Sequence, residues 1–482
     1  MTCEEGGNLY RILADKGLLE APCGGKGTCG KCRVTVSGAS VLACHHSVSR
    51  NEEVILPRTA EVSDIVSDGY MKKFSFVPRD GYGAAIDIGT TTVVAALYDL
   101  SSGRELRALS CLNSQKAYGQ DVISRICHAA DEPQGLEQLR RKICGDINNL
   151  VTQLLRRTDI GGEDLRGIVV AGNTTMIHLL AGRDPSSLAA APYLPAFTGP
   201  LTLASEELGL ALPSATVACL PAIASYVGGD ITAGIVACGI SPEGPLTLLL
   251  DIGTNGEIVL AGDGMIHCCS CAAGPALEGM NISCGTRASD GAIEAVSIVD
   301  GAFACQTIRG TAPSGICGSG LISAIAAMLR GGVISSSGRF TDHPLVRRGA
   351  GGKYVVLDQE HDIYLTQKDI RQVQLAKGAI LSGILALLEA SGRTEEDIGS
   401  VIVAGQFGAH LTAESLVGCG ILPESWKDKI TYAGNTSKSG AAICLLSPEE
   451  NRRCEELAKN ARYIELSTKD GYEALFVKCL NF

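Results

Sequence analysis

Four cysteines near the start of the chain have the spacing of metal ligands. Three fall in the glycine-rich stretch APCGGKGTCGKCRV (21–34) and the fourth follows in LACHHSV, which gives the pattern C-x5-C-x2-C-x11-C. They are Cys23, Cys29, Cys32 and Cys44. A loop with closely spaced thiolates that is closed by one later cysteine is typical of plant-type [2Fe–2S] ligation. Glycines in such a loop allow unusual backbone angles and let N–H groups point at sulfur.

Other interpretations of this cysteine group stay open. Structural zinc usually takes two C-x2-C pairs, and only Cys29 and Cys32 form such a pair here. Thiols without any metal are a second alternative. The neighbouring His45 and His46 raise the question of a Rieske centre, in which two histidines replace two cysteines on one iron. Four cysteines already suffice as ligands, so the spacing favours a [2Fe–2S] cluster.

A second cysteine-rich stretch, CCSC at 268–271, has a structural explanation. Adjacent Cys268 and Cys269 would point to opposite faces of a strand, and Cys284 lies further along the chain. We therefore expect buried thiols that pack as small apolar side chains, and not a second metal site.

Two stretches with one plan form an internal repeat, AAIDIGTTTVVAALYD (84–99) and LLLDIGTNGEIVLAGD (248–263). Each has an apolar strand, then Asp-Ile-Gly-Thr, then a second strand, which predicts a β-hairpin. Gly-Thr turns expose backbone N–H groups and hydroxyls that can cradle phosphates. Because the neighbouring carboxylate would repel phosphate, we expect it to act through Mg²⁺ and its waters. Either aspartate could also orient an attacking water.

A second repeated pair reinforces this organisation. GIVVAGNTTMIHLLAG (167–182) and SVIVAGQFGAHLTAES (400–415) each read as a buried strand, then Ala-Gly, then a helix. The order hairpin, strand, helix therefore occurs twice, which predicts a duplicated α/β domain folded around a cleft. An ordinary strand-to-helix turn, with Asn173 or Thr174 as a helix cap, is the alternative for the Ala-Gly stretches.

Composition bounds the class of protein. The chain has 482 residues, so about 150 residues per domain suggests about three units. Only 4% of the residues are aromatic and 58 are glycine, which is typical of an α/β enzyme with many tight turns. The net charge is −11, and without a Lys/Arg-rich stripe such a chain does not attract nucleic acid or anionic membrane.

The location of the protein is expected to be cytoplasmic. The first twenty residues are rich in charge and contain no apolar signal-peptide core. No run of 18 apolar residues occurs, so no segment is expected to span a bilayer. The 20 cysteines are therefore interpreted as cytosolic thiols and cluster ligands, and not as a disulfide framework.

The cysteine loop together with LACHHSV resembles the N-terminal ferredoxin domain of the reductive activators of corrinoid-dependent proteins. The resemblance implies a small α+β ferredoxin-like [2Fe–2S] domain at 1–49, followed by a linker at 50–80. The stretch GGNLYRILADKG (6–17) reads as its helix. A ferredoxin domain normally opens with a β-hairpin, and few residues precede Cys23, so we expect either a truncated start or a reduced version of the domain.

Residues 81–482 resemble the acetate/sugar kinase, heat-shock ATPase and actin superfamily. The resemblance implies a duplicated actin-like (ribonuclease H-like) ATPase domain with two lobes, at about 81–236 and 237–482. It assigns Asp87 and Asp251 as catalytic residues. It assigns nucleotide binding to Gly89, Thr90, Thr91, Thr92, Gly253, Thr254, Asn255 and Gly256, and, in the adenosine motif VAGQFG, to Gly405 and Gly408.

Further stretches match the corrinoid-activator version of this fold, namely YVGGDITAGI (226–235), AAGPALEGMNI (272–282), GICGSGLISAI (315–325) and TQKDIRQVQLAKGAI (366–380). Asp230 and Glu278 in these stretches are candidate cleft carboxylates, with a helix cap or a solvated acid as the alternative. The apolar spacing of Lys368 to Leu388 predicts a connecting helix packed on the core.

The resemblance implies an ATP-dependent reductive activator that returns Co(II) in a corrinoid protein of a methyltransferase system to Co(I). The reduction potential of a plant-type cluster is about −400 mV, and the family's cobalt target is reduced only at a still lower potential. ATP, with Mg²⁺, would therefore drive the uphill transfer through conformational change. An electron donor protein is implied, and a homodimer is compatible with the family.

Three other functions stay open on the sequence alone. One is ATP-coupled activation of another metalloenzyme. Another is a small-molecule kinase with a regulatory Fe–S cluster. The last is a nucleotide-gated binding module without turnover.

Overall fold

The computed structural model describes most of the chain. It describes residues 6–482 apart from 16–17, 20–24, 26, 28–31, 50–51, 57–68, 211, 213–214 and 406–410. The predicted site residues Cys23, Cys29 and Gly408 lie outside the described residues. The chain forms two compact units. The first comprises Met1–Ala60, Lys73–Val236 and Ser437–Lys459, and the second comprises Glu61–Lys72, Ala237–Thr436 and Asn460–Phe482.

The described part of the chain contains both strands and helices. The strands are β1 (Arg33–Val36), β2 (Ala39–Leu42), β3 (Val54–Ile55), β4 (Tyr82–Ile88), β5 (Thr92–Asp99), β6 (Glu105–Leu112), β7 (Leu165–Gly172), β8 (Leu201–Ala204), β9 (Thr216–Cys219), β10 (Thr247–Ile252), β11 (Gly256–Gly262), β12 (Met265–Cys271), β13 (Ala292–Val299), β14 (Ala302–Thr307), β15 (Gly315–Ile316), β16 (Val346–Gly349), β17 (Gly352–Asp358), β18 (Ile363–Thr366), β19 (Ser400–Ala404), β20 (Ile430–Gly434) and β21 (Arg462–Tyr463). The helices are α1 (Leu9–Asp15), α2 (Val122–Asp131), α3 (Gly135–Thr158), α4 (Thr174–Leu180), α5 (Gly229–Cys238), α6 (Gly318–Arg330), α7 (Gln367–Ser391), α8 (Ala413–Gly418), α9 (Thr436–Leu446), α10 (Pro448–Asn460) and α11 (Tyr472–Lys478).

The N-terminal part of the first unit is a small α+β module. The helix α1 lies within the predicted stretch 6–17, and a three-stranded antiparallel sheet follows it in the order β2-β1-β3. The strand β3 pairs Ile55 with Thr35 of β1, so this sheet continues past residue 49 into the stretch that we predicted as a linker. Its small core contains Leu9, Leu13 and Val34.

Two contacts join this module to the rest of the first unit. The Tyr10 hydroxyl donates to the carbonyl of Ala117 at 3.0 Å, and Tyr10 is buried. Arg11 forms an ion pair with Glu132 at 2.9 Å on the surface. The buried contact seats the module on the short 3-10 helix Ser114–Ala117.

A six-stranded mixed sheet organises the remainder of the first unit, in the order β6-β5-β4-β7-β9-β8. The strands β4, β5 and β6 form an antiparallel meander, and β7 lies parallel to β4 on its other side. The long helix α3 packs on this sheet through the apolar positions Leu139, Ile143 and Ile147, which are all buried. Their spacing of four residues places them on one face of the helix.

The second unit contains a six-stranded sheet in the order β20-β19-β10-β11-β12-β21 and two three-stranded sheets. The strands β10, β11 and β12 again form an antiparallel meander, with β19 parallel to β10 and β20 parallel to β19. The run β12-β11-β10-β19-β20 therefore repeats the run β6-β5-β4-β7-β9. The duplicated α/β fold with two matching β-hairpins is confirmed.

The longest apolar helix, α7, begins at Gln367 and confirms the predicted helix from Lys368 to Leu388. Its length and composition alone would let it cross a bilayer, but most of it is buried inside the molecule. Its first turn is closed by a capping box between Thr366 and Asp369. It packs as a core helix of the second unit.

Candidate active site

The hairpin β1–β2 brings two of the predicted cluster ligands together. Cys32 lies immediately before β1, and Cys44 lies in the 3-10 turn Ala43–His45 after β2. Arg33 pairs with Leu42 at the open end of the hairpin, so Cys32 lies next to the turn that contains Cys44. The two Sγ atoms are 3.2 Å apart, so both sulfurs could bind a single metal ion.

Packing explains why glycine occurs at positions 25 and 27 of the cysteine loop. Gly25 and Gly27 have φ angles of +86° and +81°, which side-chain-bearing residues rarely adopt. A Cβ at Gly25 would lie 2.4 Å from the ring of Tyr10, and one at Gly27 would lie 2.7 Å from the ring of His45. Gly25 and Gly27 thus lie directly against these two rings. The other neighbouring histidine, His46, lies 2.9 Å from a carboxylate oxygen of Glu52.

The first Asp-Ile-Gly-Thr hairpin joins β4 to β5 through Gly89, Thr90 and Thr91. The Gly89 N–H donates to the Thr92 carbonyl at 2.9 Å and closes the turn. A Cβ at Gly89 would lie 2.8 Å from that carbonyl oxygen, so the close approach requires glycine. Asp87 precedes the turn, half-buried, and pairs with Val94 across the hairpin.

Two residues that the sequence analysis missed hold this turn in place. The Asn113 side chain donates to the Gly89 carbonyl at 2.9 Å, and its backbone N–H donates to the Thr91 carbonyl at 3.0 Å. Arg125 is fully buried and donates to the Thr90 carbonyl at 2.5 Å. These donors occupy the carbonyls of the turn, which orients its peptide planes.

Arg125 also links the turn to its surroundings. Its Nε donates to the Gly119 carbonyl at 2.9 Å and its Nη1 to the Gln115 side chain at 3.2 Å. Gln115 belongs to the same 3-10 helix, Ser114–Ala117, that seats the N-terminal module. One short segment therefore supports both the turn of the first hairpin and the cysteine module.

We expect Arg125→Lys to weaken binding of a Mg²⁺–ATP analogue by about tenfold, because lysine offers no planar fork and leaves buried carbonyls without a donor. Isothermal titration calorimetry measures this affinity. Arg107→Lys, at an exposed position on β6, is the matched control and should bind normally. Unchanged affinity in a folded Arg125→Lys protein would contradict the supporting role.

Asn173 caps a helix, as considered above, and also contacts the first hairpin. Its side-chain oxygen accepts from the Met176 N–H at 2.9 Å and caps α4, while its amide nitrogen donates to the Thr90 hydroxyl at 3.1 Å. The neighbouring Thr174 hydroxyl instead donates to the Ala224 carbonyl at 2.6 Å. Only Asn173 of this pair reaches the hairpin.

The second hairpin joins β10 to β11 through a turn of equal length, Gly253, Thr254 and Asn255. The Gly253 N–H donates to the Asn255 carbonyl at 2.9 Å, one residue earlier in the turn than the acceptor Thr92 of the first hairpin. The Thr254 hydroxyl donates to the Glu278 carboxylate at 2.6 Å. Glu278, one of the two candidate carboxylates, thus lies at the second hairpin.

The adenosine motif touches the second aspartate. Gly405 follows β19 with a φ of +91°, and a Cβ at this position would lie 2.6 Å from the Asp251 Oδ1. Asp251 pairs with Ala404 between the parallel strands β10 and β19, which brings Gly405 beside its carboxylate. Both its backbone conformation and this approach require glycine at 405. The other candidate carboxylate, Asp230, accepts from the Ile231 N–H at 2.9 Å at the start of α5.

The CCSC stretch forms the end of β12. Cys268 and Cys269 are buried on opposite faces and approach the carbonyls of Arg462 and Gly383 respectively. Burial raises the pKa of the Cys268 thiol to about 12 and raises the pKa of Cys269 well above its ordinary value. Neutral, buried thiols of this kind pack as small apolar side chains.

Two models of protein-family domains match this chain. A model described as the RACo middle region matches residues 82–243, and a model described as the C-terminal domain of RACo, the ASKHA domain, matches residues 245–482. The chain belongs to the RACo family. Residues 245–482 therefore form an ASKHA domain, which has the actin-like ATPase fold. The predicted limits 1–49, 50–80 and 81–482 stay predictions.

Proteins similar to this chain are named as corrinoid activators or as a corrinoid protein reductase. The corrinoid activation enzyme RamQ of Eubacterium limosum is 32% identical over 553 aligned positions, which cover 95% of this chain and 93% of RamQ. The [Co(II) methylated amine-specific corrinoid protein] reductase of Methanosarcina barkeri is 26% identical and covers 83% of this chain and 77% of that protein. A solved structure of a reductive activator for corrinoid, iron–sulfur protein superposes with a TM-score of 0.76 at 31% identity, covering 100% of this chain and 96% of that chain.

Proposed function

We propose that this protein is an ATP-dependent reductive activator that returns the Co(II) form of a corrinoid protein to Co(I). The observation that carries the proposal is that one chain joins a pair of contacting thiols in a small N-terminal module to two β-hairpins that share the sequence Asp-Ile-Gly-Thr and a three-residue turn. Relatives that align with nearly the whole chain are named as corrinoid activators, which supports the proposal. The cytoplasm, where free thiols persist, is the proposed location.

The N-terminal module is proposed to hold a [2Fe–2S] cluster. Cys23, Cys29, Cys32 and Cys44 would be its ligands, and the contacting sulfurs of Cys32 and Cys44 would share one iron. The positive-φ glycines of the loop suit backbone N–H groups that face sulfur. When bound, the cluster supplies one electron at a time. A separate electron donor protein would then reduce the cluster again.

The two hairpins are proposed to bind ATP with Mg²⁺. The N–H groups and hydroxyls of the turns would contact phosphate, while Asp87 and Asp251 would hold the hydrated metal or the attacking water. The donors from Asn113 and Arg125 pre-orient the first turn. Glu278 orients the Thr254 hydroxyl at the second turn.

The function is tested by mixing the anaerobic protein with a Co(II) corrinoid protein, a reductant and ATP while the cobalt absorption spectrum is recorded. We expect Co(I) to accumulate only when both this protein and ATP are present. ADP in place of ATP is the control and should leave Co(II) unchanged. Co(I) formation at the same rate and to the same extent without ATP would contradict the coupling.

The same preparation distinguishes the other functions. Activation of a corrinoid-free metalloenzyme would indicate a different partner, and phosphorylation of a metabolite without any protein partner would indicate a kinase. Lack of ATP hydrolysis with every partner would indicate a binding module. A homodimer stays a prediction, which sedimentation of the purified protein would test.

A further inference from the structure

A hydroxyl far away in sequence contacts the first aspartate. The Ser437 Oγ donates to the Asp87 Oδ1 at 2.7 Å, although 350 residues separate the two positions. Both residues belong to the first unit, and Ser437 is only 6% exposed. Hydrogen bonds to an ionised carboxylate are among the stronger ones in proteins. The contact therefore constrains the carboxylate that is proposed above to hold the hydrated Mg²⁺ or the attacking water.

The helix that carries Ser437 is fixed to the first unit close to this contact. Ser437 lies in the first turn of α9. The next residue, Lys438, is buried and forms an ion pair with Glu105 of β6 at 2.9 Å. One turn further, a Cβ at Gly440 would lie 2.0 Å from the Ala233 carbonyl of α5, so the two helices pack backbone against backbone. The hydroxyl of Ser437 is thus presented by a rigid element.

We propose that Ser437 is a positioning residue for ATP hydrolysis, which acts by fixing the orientation of the Asp87 carboxylate. The terminal torsion of an aspartate is broad in itself, and the hydrogen bond from Ser437 favours one orientation of the carboxylate toward the metal or water. Ser437 touches neither nucleotide nor metal in this role. The inference rests on the proposed function of Asp87 and extends it to a residue outside both hairpins.

A matched control lies in the same helical turn. Ser439 is buried like Ser437, but among the described residues its hydroxyl has no hydrogen-bond partner. Ser437→Ala and Ser439→Ala therefore remove the same atom from neighbouring positions. Only the first removes a hydrogen bond to a carboxylate.

We expect Ser437→Ala to lower the kcat of ATP hydrolysis by about tenfold or more, with the KM for ATP within about twofold of the unmodified value. Ser437→Thr, which keeps the hydroxyl, should restore kcat, and Ser439→Ala should hydrolyse ATP normally. Single-turnover assays with labelled ATP keep sensitivity for the slow variants. Full activity of Ser437→Ala would overturn the inference.

A double-variant cycle separates positioning from general stabilisation. Because Ser437 acts through Asp87, adding Ser437→Ala to Asp87→Asn should cause no further loss of kcat. A further loss as large as that of the single variant would overturn the inference and leave the role of Asp87 intact. Normal hydrolysis by Asp87→Asn itself would instead overturn the proposed role of Asp87, and the inference with it.

Discussion

Asp87→Asn and Asp251→Asn should each lower the rate of Mg²⁺-dependent ATP hydrolysis by about 100-fold to 1,000-fold, the loss typical when one preorganised transition-state group is removed. The two aspartates occupy equivalent places, since each precedes a three-residue turn and pairs with the neighbouring parallel strand. Asparagine keeps the shape of the side chain but removes the charge that holds the metal or its water. Phosphate release measures the rate.

The control for these variants is Asp263→Asn. Asp263 lies in the tight turn at the far end of the second hairpin and forms an exposed ion pair with Arg393 at 3.1 Å, which is expected to contribute little. This variant should hydrolyse ATP normally. All three variants should keep the absorption of the cluster, because none of the changes touches the cysteine module. Unmodified hydrolysis by both Asp87→Asn and Asp251→Asn would show that the hairpins have another role.

Cys32→Ser and Cys29→Ser should each abolish the [2Fe–2S] cluster, which we expect as two irons and two sulfides per chain in protein purified anaerobically. Cys32 is buried and its sulfur contacts that of Cys44, so serine would remove one thiolate of this contacting pair. Iron and sulfide analysis with the visible absorption spectrum measures the loss. Corrinoid reduction should disappear with the cluster.

Nucleotide binding and the far-UV circular dichroism should be retained in both cysteine variants, since the large sheets do not depend on the module. Cys127→Ser, in the helix α2, is the matched control and should keep its iron. Stoichiometric zinc without iron, in protein expressed with ample iron, would refute the cluster assignment and favour the zinc alternative.

Much of the fold was readable from local patterns. Alternation of apolar strands around Asp-Ile-Gly-Thr predicted both hairpins, and repetition of the order hairpin, strand and helix predicted the duplicated domain. Both predictions succeed because a hairpin turn and the strands beside it are specified by neighbouring residues. The cysteine spacing predicted that Cys32 and Cys44 share one site, and the hairpin β1–β2 brings their sulfurs to 3.2 Å.

The supporting residues of the site were decided only by the tertiary structure. Asn113, Arg125 and Ser437 lie outside every motif, and each reaches the first hairpin from an element that is distant in sequence. Gly405 was predicted to admit an adenine ring, and the fold also places it against Asp251. No local pattern marks such contacts, because they depend on which strands pair and which helices pack together. The sequence by itself determined the reactive groups, and the packing of the chain determined what holds them in position.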